Sequence, residues 1–423
     1  MGNTLSPEKE KPCILVVHAS VGSGHRSAAN SVAEALREFQ GNLPDDIVDL
    51  SDDFDVEVLD ILDFGSIRFD GDKAASLFTG VTRPIYDLTW RFTFTGRLLW
   101  GGGLGISFVM FQKFTKYVQK KKPLAIIATH IMAANCAAGA RMITGQSYPI
   151  ISVPTDYETE GLWPHKETDL FCVATEAMAE TLRPRKVPEE KILITGIPTR
   201  KGYREKRSQK KAREQFNLPQ DKHVVLALAG AHLPTPYIHF RNALDLILPA
   251  MNTLEDMHLV IIAGKDETYA HHLRKLVDVF NLKNVTVFDY VMDMASLMAA
   301  ADVAICKSGG LTVTECLCSS TPMILIGQAY GQEKANVLML TSQGAAKHVT
   351  TARELLNSLK IFSQRPQAME ALLVNGNLIR RPMAAVDIAH ASLRLAQKEK
   401  RHPKKRRKKL MGLYWGKQPA HTR

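Results

Sequence analysis

The sequence predicts an α/β protein built from two doubly wound domains, and three observations carry that expectation. Short apolar runs of strand length recur with helical patterns between them, the rhythm of a parallel sheet flanked by helices. The runs fall into two series, separated by the strongly basic stretch TRKGYREKRSQKKAREQF (199–216). Small-residue turns follow one run in each series, at Gly22-Ser23-Gly24 and at Ser308-Gly309-Gly310. The two domains are expected to face each other across a cleft, with ligands beyond the carboxyl ends of strands.

The first series comprises CILVV (13–17), VEVLDI (56–61), LAIIATH (124–130), IISVPTD (150–156), LFCVAT (170–175) and KILITGIP (191–198). The basic stretch then reads as a linker running into a helix. The second series comprises HVVLALAGA (223–231), MHLVIIAG (257–264), VTVFDY (285–290), VAICKSGG (303–310) and TPMILIG (321–327). These runs divide the chain into a disordered N-terminus (1–11), a first domain (12–199), a second domain (200–375), a helix expected to return to the first domain (376–397) and a basic tail (398–423). One segment departs from the rhythm: RPIYDLTWRFTFTGRLLWGGGLGISFVMFQKF (83–114) interleaves aromatic and basic residues around a glycine-rich break. It reads either as an interfacial membrane-resting segment, with Trp90, Arg91 and Trp100 at its centre, or as a buried helix pair.

Composition bounds the rest. The 423 residues are enough for two domains with buried cores, and 45% hydrophobic and 23% charged residues suit a globular chain. The formal net charge of +11 is concentrated: KEKRHPKKRRKK (398–409) holds nine Lys/Arg and one Glu, a net +8, leaving about +3 elsewhere. Such a run suits an anionic membrane surface. Nucleic acid is not expected as a partner, because no folded recognition module accompanies it. The six cysteines form no CxxC, and reduced buried thiols are expected. MGNTLSPEKEKP lacks a signal-peptide core; its loose fit to a myristoylation pattern reads as chance. No apolar run approaches the ~20 residues of a membrane-spanning helix.

The chemistry sits at the small-residue turns. A strand, a glycine turn and a helix start leave backbone N–H groups open and aim the positive end of the helix dipole at one point, a site for phosphate. Gly22 and Gly24 lead to His25 in this way, but Ser27 and Ala28 exclude a dinucleotide fingerprint, and no Gly-Lys-Ser/Thr makes a P-loop. The second turn, KSGGLTVTECLCSSTPMILIG (307–327), offers the amides of Ser308, Gly309 and Gly310 and the hydroxyl of Thr312. Glu315 lies within the first turn or so of the following helix. It is either a carboxylate for two vicinal sugar hydroxyls or a dipole-complementing helix cap. In GQAYGQEKANVLMLTSQGAA (327–346), Gln332 and Asn336 share a face at a helix start.

Taken together, SGGLTVTE and GQEKAN resemble the C-terminal half of the glycosyltransferase family that contains the peptidoglycan N-acetylglucosaminyltransferase. GSGHRSAANSVAEAL, VPTDYETEGLWPHKETDLFCVATEAMAETL and ITGIP resemble the monogalactosyldiacylglycerol synthases and processive diacylglycerol glucosyltransferases. The resemblance spans about residues 12–395. It implies a GT-B fold of two Rossmann-like domains, with an N-terminal acceptor and membrane domain, a C-terminal UDP-sugar-binding domain, and an inverting transfer without metal or other cofactor. Acidic doublets such as Asp52-Asp53 lie in a polar loop with no histidine beside them, in keeping with the last point.

Carried over by position, His25 matches the general base, a task suited to an imidazole titrating near operating pH. Ser308, Gly309 and Gly310 match the diphosphate turn, Glu315 the ribose carboxylate, and Val291 the residue whose backbone pairs with uracil. Gln332 and Asn336 match the pair holding the donor sugar, and Gly230 a loop near the phosphates, with His232 beside it. Asp156 and Trp163 match the acceptor loop; Asp156 either orients His25 or an acceptor hydroxyl, or is a turn residue. Two departures stand out: Ser23 occupies a position where relatives have glycine, and Lys307 keeps a charge before SGG without a bidentate grip. The function this implies is transfer of a hexose from UDP to diacylglycerol or a glycolipid, by an enzyme peripheral on the inner face of the cell membrane. Transfer of N-acetylglucosamine to a polyprenyl-linked or lipopolysaccharide sugar, and epimerisation of UDP-N-acetylglucosamine at C2, stay open beside it.

Overall fold

The computed structural model describes residues 11–65, 110–159, 163–229, 236–329, 332–404, 408–410 and 413–415. The chain divides into two compact units: residues 1–155, 159–198 and 383–423 form the first, and residues 156–158 and 199–382 the second.

The first unit is built on a six-stranded parallel sheet of β1 (Cys13–His18), β2 (Asp55–Asp60), β3 (Ala125–Ala128), β4 (Ile150–Ser152), β5 (Leu170–Val173) and β6 (Ile192–Ile194). Their order across the sheet is β2-β1-β3-β4-β5-β6. The continuous apolar runs follow from burial on both faces. Ile14, Leu15, Val16 and Val17 have no exposed surface, and each contributes roughly 1.5–3 kcal/mol on burial. The alanine-rich helix Ser23–Glu38 packs Ala29, Val32, Ala33 and Leu36 into this core together with Ile388, Ala389 and Leu393 of the helix Ala384–Arg401. The latter helix is stapled in place by Gln397, whose Oε1 accepts from the N–H groups of Val48 and Asp49 at 2.7 and 2.8 Å.

The second unit repeats the plan with β7 (His223–Leu228), β8 (Met257–Ile262), β9 (Val285–Phe288), β10 (Val303–Cys306), β11 (Met323–Ile326) and β12 (Ala346–Val349). Its order, β12-β11-β10-β7-β8-β9, is that of a Rossmann sheet. The eleven apolar runs of the sequence each yield a strand. The twelfth strand, β12, reads AKHV and lies at an edge beside β11, where half-buried Lys347 and His348 interrupt the apolar signal.

One sequence expectation is corrected. The basic tail does not begin at residue 398, because the helix Ala384–Arg401 continues through it, Arg401 pairs with Asp49, and Lys404 Nζ reaches Asp169 at 3.0 Å. Beyond it, Lys408–Leu410 and Leu413–Trp415 form a two-stranded antiparallel hairpin. The end of the aromatic-basic segment is ordinary core: Phe111 and Phe114 are buried at the start of the helix Gln112–Lys121.

Candidate active site

In both sheets strand order reverses beside the first strand of the unit, between β1 and β3 and between β7 and β10. Loops leaving such neighbours diverge to opposite faces and open a crevice at the strand ends. The small-residue turn of each unit follows one of these strands.

In the first unit, the loop after β1 reaches Gly22 at φ +94°, a conformation that suits glycine, and Gly22 caps the helix Ser23–Glu38 without a side-chain hydrogen bond. The positive φ thus falls on Gly22, and Ser23 is simply the first helical residue, so its departure from glycine introduces no strain. Gly24 follows it, and His25 is the third residue of the helix. His25 Nδ1 lies 3.0 Å from the Thr129 carbonyl oxygen and 2.8 Å from Thr155 Oγ1. Thr129 Oγ1 in turn donates to the His25 carbonyl at 2.9 Å. The loop after β3 therefore grips His25 from both its ring and its backbone.

Two further histidines surround it. The His130 ring meets His25 edge to face, with centroids 4.6 Å apart. His130 Nδ1 accepts from Met132 N at 3.1 Å and caps the helix Ile131–Thr144. Burial, followed by the neighbouring His25 and His18, holds the His130 imidazole well below its ordinary pKa. Burial likewise lowers His18, with Asp60 opposing and Arg26 and His25 adding to the effect.

In the second unit, β10 runs into Lys307, Ser308 and Gly309, and Gly309 caps the helix Gly310–Cys318, again without a side-chain bond. Several other helices are capped by side chains, those of Thr175, Ser208, Asp266, Asp293 and Thr351, while the helices Gln112–Lys121, Gln367–Ile379 and Ala384–Arg401 also lack a side-chain cap. A Cβ placed at Gly309 meets nothing within 4 Å, so the turn presents bare backbone to open space. Thr312 is half-buried on the first turn of the helix.

The turn is braced from behind. Asn336 has no exposed surface, and its Nδ2 donates to the Ser308 carbonyl at 2.8 Å and to Asp156 Oδ1 at 2.9 Å. Its Oδ1 accepts from Tyr157 N at 2.8 Å. Buried Tyr157 places its hydroxyl 2.9 Å from Thr314 Oγ1, which donates to the Gly310 carbonyl at 2.7 Å. Asn336, expected at the donor sugar, is also a buried clamp: both of its amide protons are committed, and Oδ1 keeps a second lone pair. The clamp also engages Asp156, expected to orient His25 or an acceptor hydroxyl. The hydroxyl that meets the His25 ring belongs to its neighbour, Thr155.

Glu315 sits on the second turn of its helix, too deep to cap it, which removes the dipole-cap alternative. Only 14% of its side chain is exposed. Burial pushes its pKa up to about 7, opposed by Arg200 and by a hydrogen bond from Tyr203. Val291 is half-buried in the loop after β9, beside exposed Tyr290, whose ring carries Lys265 Nζ at 5.2 Å. Gln332 opens the helix Gln332–Ser342, and the adjacent Glu333 pairs with Lys307 Nζ at 3.0 Å.

Trp90, Arg91, Trp100, Gly230 and His232 lie outside the described residues. Trp163, expected near an acceptor, is buried in the first unit with its ring edge-on to Phe171 at 6.3 Å. Among the described residues no cluster of His, Cys, Asp or Glu is arranged to hold a metal ion, and no helix is long and apolar enough to cross a membrane. Thr129, Thr155 and Tyr157 are site residues that the sequence did not single out.

Comparison with known proteins agrees with this architecture. Residues 25–199 match the family model for monogalactosyldiacylglycerol (MGDG) synthase, and residues 240–365 match that for the glycosyltransferase family 28 C-terminal domain. A processive diacylglycerol beta-glucosyltransferase of Bacillus cytotoxicus is 26% identical over 390 residues, covering 91% of this chain and 94% of the relative. MurG of Acinetobacter baumannii superposes with a TM-score of 0.56 at 18% identity, over 90% of this chain and 99% of that one. A UDP-GlcNAc 2-epimerase of Neisseria meningitidis gives 0.58 at 14% identity, over 91% and 100%. Two Rossmann-like units, each with a bare glycine turn at its switch point, and consecutive matches to the two family models give the chain a domain of the monogalactosyldiacylglycerol synthase type followed by a glycosyltransferase family 28 C-terminal domain, on a GT-B scaffold.

Proposed function

We propose that the chain transfers a hexose from a UDP-sugar to the 3-hydroxyl of diacylglycerol, or to a glycolipid, at a membrane surface, with inversion and without metal. The observation that carries this reading is the bond between His25 Nδ1 and the Thr129 carbonyl. A carbonyl only accepts, so Nδ1 holds the proton and the basic lone pair of the neutral ring is on Nε2. Nε2 takes the acceptor hydroxyl proton as that oxygen attacks the anomeric carbon. The bond from this carbon to the diphosphate breaks on the opposite face, and UDP leaves with the electron pair.

The remaining residues serve the donor. The amides at Ser308, Gly309 and Gly310 stabilise charge developing on the diphosphate, aided by the helix dipole. Glu315 accepts from the ribose diol, the Val291 backbone pairs with uracil, and Gln332 holds the sugar. Gly22 and Gly24 keep the turn before the helix Ser23–Glu38 clear of side chains. The named relative supports a lipid acceptor and a glucosyl donor. The basic run from residue 405 to 409 supports attraction to the anionic inner face of the membrane, at roughly 1 kcal/mol per basic residue.

The test is incubation of the purified chain with diacylglycerol vesicles and a panel of UDP-sugars, followed by mass analysis of the lipids. A glycosylated diacylglycerol is expected. Turnover of UDP-N-acetylglucosamine without any acceptor would instead identify an epimerase.

A further inference from the structure

Glu315 is approached by two residues that belong to none of the site motifs. Arg200 precedes the short 3-10 turn Lys201–Tyr203 and brings its Nη2 to 3.8 Å from Glu315 Oε1. The same nitrogen lies 3.4 Å from the Tyr203 hydroxyl oxygen, and the guanidinium sits 5.7 Å from the centre of that ring. Tyr203 is 2% exposed and hydrogen-bonds to the Glu315 carboxylate, whereas 45% of the Arg200 side chain remains exposed. One buried phenol and one half-exposed cation therefore meet a largely buried carboxylate.

We infer that Arg200 and Tyr203 are positioning residues that keep Glu315 ionised and aimed at a vicinal diol, so that donor affinity follows the protonation of this carboxylate. The inference rests on the reading of Glu315 as the ribose contact. An ionised carboxylate accepts from both hydroxyls of a diol, and a protonated one gives up an acceptor site and the charge that strengthens both bonds. Burial alone favours the neutral acid, and the phenol and guanidinium oppose it. The other titratable groups nearby are Cys316 and Cys318 on the same helix, both raised above the ordinary thiol range and so uncharged near neutrality. Tyr290 faces Arg200 from the loop after β9, and Arg380 faces Cys318.

The probe is UDP-glucose, which does not itself titrate near neutrality, with its affinity measured calorimetrically from pH 5.5 to 9 in the absence of acceptor. Wild type should gain about tenfold in affinity around a midpoint near pH 7. Tyr203→Phe and Arg200→Gln should each move that midpoint upward by about one pH unit, and Arg200→Lys should restore most of the Arg200 effect. Glu315→Gln should bind weakly and without pH dependence. A pH-independent Glu315→Gln with unmoved midpoints in Tyr203→Phe and Arg200→Gln would overturn the inference and leave the ribose contact standing. Wild-type affinity and pH profile in Glu315→Gln would overturn the ribose contact itself. Arg200 is half exposed, so its variants keep the test valid should Tyr203→Phe fail to fold.

Discussion

The Nδ1 atom of His25 lies 3.0 Å from the main-chain oxygen of Thr129, and that contact decides which nitrogen of the ring is basic. Asparagine places an N–H donor close to Nδ1 but supplies no base. His25→Asn should therefore keep the tie to Thr129 while transfer falls by about 10²–10⁴-fold, the range of a lost general base. UDP affinity should stay within about threefold. A loss of transfer matched by an equal loss of UDP binding, measured by calorimetry, would make His25 a donor contact instead.

Asn336 and Tyr157 test whether the donor turn depends on the bracing behind it. Asn336→Ala leaves the Ser308 carbonyl, Asp156 Oδ1 and Tyr157 N without the bonds that Asn336 provides. A buried polar group stripped of its partner costs about 1–3 kcal/mol, and such effects within one network are not additive. The variant should lose about 2–4 kcal/mol of stability in urea and bind UDP at least tenfold more weakly. Tyr157→Phe removes only the bond to Thr314 and should cost about 1 kcal/mol. Unaltered UDP binding in a visibly destabilised Asn336→Ala would detach the clamp from the donor site.

The parts of this arrangement that were legible in the sequence are those set by local chemistry. Apolar runs bounded by small residues announce buried parallel strands, and glycine before a helix start announces an open turn. β12 escaped because AKHV, at a sheet edge, need not be apolar at every position. The grip of Thr129 and Thr155 on His25 joins residues 104 and 130 apart, and the bonds of Asp156 and Tyr157 to Asn336 join residues 180 and 179 apart. Threonine, tyrosine and asparagine at such distances look like any others until the chain is folded. Glu315 is expected within the first turn or so of its helix and lies on the second, because the helix begins as early as Gly310.

The basic C-terminal region is tied to the first unit as far as Lys404. Lys400 donates to the Asp49 carbonyl at 2.6 Å, and Arg401 and Lys404 pair with Asp49 and Asp169. A truncation at residue 398 would therefore disturb the first unit as well as remove charge. Replacing Lys405, Arg406, Arg407, Lys408 and Lys409 with glutamine isolates the electrostatic contribution. Association with vesicles containing anionic lipid should drop more than tenfold at low salt, with little difference left at high salt, where surface charges are screened. Sedimentation of vesicles with bound protein checks it, and equal binding of both forms at low salt would remove the run from membrane attachment.

Glu315 also predicts a conflict between stability and function. Its folded pKa of about 7 lies above its ordinary 4.5, so between these values the folded chain holds a proton that the unfolded chain has released. Stability from the neutral form is fully present below pH 4.5 and is lost as pH rises through about 7. A shift of this size corresponds to about 3 kcal/mol of destabilisation at pH 8. Glu315→Gln keeps the shape without the charge, so it should lie within about 1 kcal/mol of wild type at pH 5 and exceed it by about 3 kcal/mol at pH 8. Groups that titrate alike in both proteins cancel in the comparison. Urea unfolding at the two pH values measures it. Equal stability of the two proteins at both would show that the Glu315 carboxylate is ionised in the fold without cost, and a less stable Glu315→Gln at pH 8 would reverse the sign.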